Sequence, residues 1–227
     1  MPSELAAAPR RRRAGLFLSL AAALPLAAAP PAAAAQIQAR LTDQKGEPVA
    51  DAVIVAAPRS GQRATVRPAP AIVDQIDKTF VPHVLPVVEG TPILFPNKDD
   101  IRHHLYSFSE AKAFELPLYE GTPAAPIVFD RAGVVVLGCN IHDFMRGYVF
   151  VSASPYFAAS GEDGKAQVAD LPAGSFEVTV WHAREKRTTP GRRVEVAAGD
   201  VLALDFQLDL KPAIKIRRAP SARGKDY

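Results

Sequence analysis

The chain of 227 residues contains one cysteine, Cys139, so an intrachain disulfide is excluded. Helical periodicity is also scarce. Between residues 71 and 153 no stretch repeats its apolar residues at helical spacing for a useful length, which points away from helical and α/β folds. No Ser/His/Asp arrangement and no glycine-rich phosphate loop is discernible, and no enzyme is expected. The body has no basic stripe and no aromatic platform, which removes nucleic acid from the expected partners. A long apolar run exists only near the N-terminus. There Pro25, Pro30 and Pro31 interrupt it before the roughly 20 apolar residues that span a bilayer, so no stable membrane insertion is expected.

What the N-terminus does hold is the pattern of an export signal. Arg10 to Arg13 form a basic segment, Gly15 to Ala29 an apolar one, and Ala33-Ala34-Ala35 offers small residues for cleavage, so the mature chain is expected to begin near Gln36. Either the general or the twin-arginine route leads to a periplasmic location. Residues 1 to 35 carry four of the 27 basic and one of the 24 acidic side chains, which leaves 23 of each in the mature chain. The last 17 residues hold six basic side chains against Asp226, a net +5, and the body from 36 to 210 is therefore about −5. With Pro212, Pro220 and Gly224 among its charges, the tail reads as a solvated, disordered end.

From Gln36 the alternation of Ile37, Ala39 and Leu41, the turn Asp43 to Pro48 and the apolar run Val49 to Ala56 predict a hairpin with a fully buried second strand. Residues 57 to 70, with Pro58, Pro68 and Pro70, read as a connection. Eight short strands are then expected: Ala71 to Ile76, Thr79 to Val87, Thr91 to Phe95, His104 to Phe108, Ala113 to Leu118, Pro126 to Phe129, Gly133 to Gly138 and Gly147 to Ala153. Strands at that spacing, with turn residues between them, form a β-sandwich or barrel. Beyond Ser154 the chain stays β, with Ser175 to His182 alternating and Leu202, Leu204, Phe206 and Leu208 lining one face of a half-buried strand.

The chemistry concentrates between Val134 and Val151. Two β-branched apolar runs flank a polar loop that carries Cys139, His142 and Met145 at positions i, i+3 and i+6. A lone thiol in an exported protein is a liability unless something occupies it. Thiolate, imidazole and thioether on one turn suit a copper site of the electron-transfer kind, provided that a second imidazole arrives from elsewhere. The segment Asn97 to Leu105 offers two, His103 and His104, and because side chains alternate along a strand only one of them can face the site.

With both segments in view, residues 71 to 153 resemble the cupredoxin family. The spacing of Asn97 and His103 is similar to the first copper loop of plastocyanin-type proteins, and Cys139-x2-His142-x2-Met145 is similar to the short ligand loop of amicyanin. The resemblance implies one mononuclear type 1 copper ion held by His103, Cys139 and His142 in a plane, with Met145 as a long axial ligand. It places Asn97 and His104 behind the ligands, Asn97 tying the first loop to the cysteine loop. Two departures stand out: His104 occupies a position that is usually Asn, and Gly147 stands where longer loops carry methionine. A second resemblance lies outside this segment. Residues 42–54 and 164–176 are similar to the two halves of the carboxypeptidase regulatory-like β-sandwich, with the copper segment inserted between them.

The expected layout is an all-β protein: a signal peptide over 1–35, a discontinuous small β-sandwich from 36–57 and 154–210, a cupredoxin Greek-key β-sandwich over 71–153 and a basic tail over 211–227. The resemblance implies a periplasmic carrier of single electrons, cycling between Cu(II) and Cu(I), with His142 and Phe144 as the exchange patch. Its partner would be a cytochrome c or a dehydrogenase, and related two-part sequences are described as methylamine-utilisation proteins. Three other readings compete: a copper storage, delivery or sensing module, an enzyme with an open coordination position, and a pure interaction module. The other candidates have plainer roles. His83 is either a strand-surface residue or a neighbour of the copper, His182 is structural, and Glu110, Glu115 and Glu120 form a solvated face.

Overall fold

Alternation of apolar and polar side chains carries through to seventeen strands and, among the described residues, no helix. A computed structural model describes residues 34–61 and 67–213. The expected signal sequence apart from its last two residues, the middle of the 57–70 connection and residues 214–227 of the tail lie outside the described residues. In chain order the strands are β1 (Ala35–Asp43), β2 (Val53–Pro58), β3 (Ala71–Ile72), β4 (Asp74–Ile76), β5 (Thr79–Val81) and β6 (Val84–Val88). Then come β7 (Thr91–Leu94), β8 (His103–Ser109), β9 (Lys112–Tyr119), β10 (Ile127–Phe129), β11 (Gly133–Cys139) and β12 (His142–Ser152). The last are β13 (Phe157–Ala159), β14 (Lys165–Leu171), β15 (Gly174–Trp181), β16 (Arg192–Val196) and β17 (Val201–Leu208).

Two β-sandwiches result. In the first, a five-stranded sheet in the order β6-β12-β11-β8-β9 faces a three-stranded sheet, β10-β7-β3, with the β4-β5 ribbon beside them. After the β8–β9 hairpin the chain crosses to β10 in the other sheet and returns as β11 beside β8, a Greek-key return. Phe80, Ile93, Phe95, Leu105, Phe129, Leu137 and Val149 fill its core, and Cys139 and Met145 belong to the same apolar cluster. The second sandwich is built from both ends of the described chain. One sheet has the order β14-β1-β17 and the other β13-β2-β15-β16, and Ile37, Leu41, Ile54, Phe176, Phe206 and Leu208 meet between them.

The hairpin expected over residues 37 to 56 is confined to its turn, where Thr42 and Pro48 form an antiparallel bridge and the Val49 amide donates to the Leu41 carbonyl. β1 pairs with β14 and β17, β2 pairs with β13 and β15, and the turn at Asp43 to Pro48 carries the chain from one sheet to the other. The apolar run in β2 explains this. Ile54 and Ala56 face the second core, while Val53 and Val55 face the opposite way into a separate cluster with Val84, so β2 is a central strand covered on both faces.

That third cluster is the seam between the sandwiches. Tyr148 and Phe150, on the outer face of β12, pack against Trp181 of β15 with ring centroids 5.7 and 5.5 Å apart. Aromatic pairs of this kind add roughly 0.5–1.5 kcal/mol each beyond the area they bury. β12 is therefore shared: its inner face closes one core and its outer face docks the other sandwich.

Gly147 takes its place in this packing. A Cβ there would stand 2.8 Å from Phe80 Cβ, and Phe80 is buried in the first core. Replacing Gly147 by Ala is expected to destabilise the protein by about 1–3 kcal/mol through overpacking. The measurement is a lowered urea midpoint at unchanged slope; an unaltered midpoint would contradict this close approach.

Candidate metal centre

The centre is made by three strand ends. β11 closes on Cys139, Asn140 and Ile141 turn the chain, and β12 opens on His142, so what the sequence reads as a polar loop is a two-residue turn. Leu137 pairs with Gly147 and Gly138 with Arg146, yet Cys139 pairs with His142. The register slips at Gly138/Cys139, and residues 143–145 bulge from β12 with no counterparts on β11. A bulge re-aims side chains, and here it brings Met145 into the buried cluster that holds Cys139.

The second imidazole comes from β8, where the alternation is plain: His103, Leu105 and Ser107 are buried, while His104, Tyr106 and Phe108 face outward. Cys139 pairs with Leu105, which sets the end of β11 beside the start of β8. Cys139 Sγ lies 3.7 Å from His103 Nδ1 and 3.6 Å from His142 Nδ1. One ligand atom from each of the three residues lies within 4.8 Å of the others. The rings of His103 and His142 are 5.0 Å apart between centroids.

The electrostatics prepare two of the three donors for an ion. Burial opposes ionisation of Cys139, but the His103 ring and the nearby backbone of Ile141 and His104 outweigh it and hold the thiol below its ordinary value. Burial also acts against protonated His103, and the hydrogen bonds to Cys139 and Asp99 more than reverse that, raising its pKa. His142 shifts the other way: burial, His103 and Lys78 all disfavour its cation. A thiolate and a neutral imidazole are the forms that bind metals, so the shifts of Cys139 and His142 favour loading, while a metal must displace the proton that His103 holds more tightly. One thiolate, two imidazoles and a buried thioether fit one copper ion by donor type, because soft sulfur suits Cu(I) and imidazole serves both oxidation states.

The other expected residues fall in two groups. Asn97 braces the first loop, though not to the cysteine loop as the resemblance implies. Its side chain donates to the carbonyls of Ile101 at 2.8 Å and Tyr119 at 3.0 Å and accepts from the Asp99 amide, so it ties the loop to β9. His104 turns away, its ring bound to Glu115 at 2.7 Å, and supports the centre through its backbone, where its carbonyl accepts from the Asn140 amide at 3.0 Å. Phe144 is half-buried, with its ring 5.8 Å from that of His142.

His83 and His182 lie elsewhere. Both line a cleft of ≈ 310 Å³ at the seam, together with Asp51, Tyr148 and Arg184. His83 is exposed in the bend between β5 and β6, not on a strand as expected, and meets the Tyr148 ring edge-on at 5.5 Å. His182 is buried, accepts from the Arg184 amide at Nδ1, and has its pKa pushed down to about 4 by burial, Arg184 and His83. Glu110 and Glu120 pair with Arg131 and Arg102 on the surface. Two contributors escape a reading of the sequence. Asp99, 2.7 Å from His103 Nε2, is one of two adjacent aspartates whose spacing does not distinguish them. Ile141 is 48% exposed between two ligands and passes for an ordinary strand residue.

No protein-family model matches the chain and no curated protein matches it either. Among solved structures, the copper-containing nitrite reductase of Thermus scotoductus SA-01 is similar at 26% identity over 42% of this chain, with a TM-score of 0.35, and the chain covers 26% of that enzyme's length. A methionine-to-alanine variant of amicyanin in its Cu(I) form is similar at 21% identity over 44% of this chain and 98% of its own, with a TM-score of 0.34. A purple cupredoxin from Nitrosopumilus maritimus is similar at 23% identity over 37% of this chain and 100% of its own, with a TM-score of 0.32. Each likeness covers less than half of this chain, and the chemistry of the centre follows from its own donors.

Proposed function

We propose that this protein carries single electrons with one copper ion held by His103, Cys139, His142 and Met145, and that it does so outside the cytoplasm without being an enzyme. The observation that carries the reading is the placement of the cysteine sulfur 3.6 to 3.7 Å from the Nδ1 atoms of two histidines drawn from separate strands. When bound, copper supplies the Cu(II)/Cu(I) couple. The protein's part is to keep the donors still. His103, Cys139 and His142 stand at the ends of strands whose ladders fix them, and Met145 is packed in the core, so little ligand movement accompanies a change of charge. Small rearrangement favours fast electron exchange.

His142 is the donor nearest to solvent, half-buried where His103 is fully buried. Around it, exposed Ile141 and half-buried Phe144 supply an apolar rim suited to brief docking of a redox protein such as a cytochrome c or a dehydrogenase. The export pattern of residues 1–35 supports a periplasmic setting. Nothing in this reading assigns the second sandwich a redox task.

Copper added to the full chain after signal removal is expected to give an intense thiolate-to-copper absorption band and narrow EPR hyperfine splitting, both abolished by Cys139→Ser. A colourless cuprous complex with no reversible couple would replace the carrier reading by storage or delivery. His103→Ala is expected to lose the band and His104→Ala to keep it. The opposite pattern in absorption spectra would move the ligand to His104.

A further inference from the structure

The loop ahead of β8 does more than deliver His103. Four residues earlier, Asp99 sets its Oδ2 2.7 Å from His103 Nε2, the ring nitrogen that does not face the sulfur. The carboxylate is held in turn. Its Oδ1 accepts from the Asp77 amide at 2.6 Å and its Oδ2 from the Lys78 amide at 2.9 Å, while its own amide donates to Asn97 Oδ1 at 3.0 Å. Asp77 and Lys78 adopt left-handed φ values of 50° and 58°, uncommon for residues other than glycine, and this shape lets the β4–β5 turn aim two successive amides at one anion. The side chains of His103 and Asp99 are 0% and 11% exposed, so solvent screens the pair weakly.

Two consequences follow from that position. A neutral imidazole that donates from Nε2 keeps Nδ1 bare, and Nδ1 is the atom facing Cys139. A backbone carbonyl would fix the tautomer equally well, but a carboxylate also places a full negative charge one ring away from the donor cluster. That charge makes the imidazole a stronger donor and stabilises the more positive state of an ion bound there.

Building on the copper reading, we propose that Asp99 is a positioning residue of the centre. Its carboxylate locks His103 with Nδ1 toward Cys139 and biases bound copper toward Cu(II), so that the reduction potential lies below the value a neutral acceptor would give. The β4–β5 turn belongs to the same device, because its amides hold the carboxylate in place.

The test uses the full chain, loaded with copper, and the near-isosteric Asp99→Asn beside Asp99→Glu. Asp99→Asn is expected to retain the thiolate band while its midpoint potential rises and its Cu(II) affinity falls roughly 10–100-fold. Each tenfold loss of Cu(II) over Cu(I) affinity reads as about 59 mV for one electron. Asp99→Glu, which keeps the charge, is expected to stay nearer to the wild-type potential. An Asn variant with an intact band and an unmoved or lowered potential overturns the tuning role. The metal-free wild-type protein, titrated to a pH at which His103 has lost its proton, gives an independent readout: ¹⁵N NMR is expected to find neutral His103 as the Nε2–H tautomer, and an Nδ1–H tautomer overturns the lock. If the wild-type protein shows no thiolate band, the copper reading falls, and the tautomer measurement still decides the lock.

Discussion

The register slip between β11 and β12 is the constraint on which the centre depends. Had the ladder continued from Gly138 and Arg146 without a break, Cys139 would oppose Met145, and His142 would stand further along the turn. The slip instead pairs Cys139 with His142 across two residues and places their donor atoms 3.6 Å apart. A hairpin with such a turn is stiff because both of its arms belong to a sheet. The third donor comes from β8, which abuts β11, so one sheet holds all three ligands and the fold needs no long loop to assemble them.

Around this sheet the charges are arranged with economy. The sulfur lies beside the Nδ1 atoms of two rings; the first of those rings is gripped from behind by Asp99, which is gripped by the β4–β5 turn. Each layer orients the next, and orientation by outer partners is what gives a metal site its geometry before metal arrives. Asn97 belongs to the same chain of supports, though it leans on β9 and not on the cysteine turn. The second sandwich joins through the other end of β12, where Tyr148 and Phe150 meet Trp181. Donor cluster and docking seam thus share a strand while using opposite faces of it.

Much of the centre was legible in the sequence because its signals are local. The spacing of Cys139, His142 and Met145 is short enough to survive any fold that keeps the turn, and strand alternation allowed only one of His103 and His104 to face inward. The all-β character and most strand positions followed from period-two patterns. Where the reading failed, the competing signal was long-range. Residues 37 to 56 look like a hairpin because their turn residues are those of one, yet β2 is wanted as a central strand between β13 and β15, and burial on both faces outweighs pairing with its neighbour in sequence. Asp99 was hidden for a related reason: carboxylates in a polar loop look alike until a partner 22 residues away selects one.

Sequence alone determined the donor types, their spacing along the chain, the export pattern and the strand-rich class, since each depends on residue identity or on periodicity within a few positions. Only the tertiary structure decided which histidine faces the thiol, that the donors stand on strand ends and not on a free loop, that β1 and β2 belong to different sheets, and that His83 lies at the seam. Those outcomes turn on register and on which faces are covered, and both are set by contacts between segments far apart in sequence.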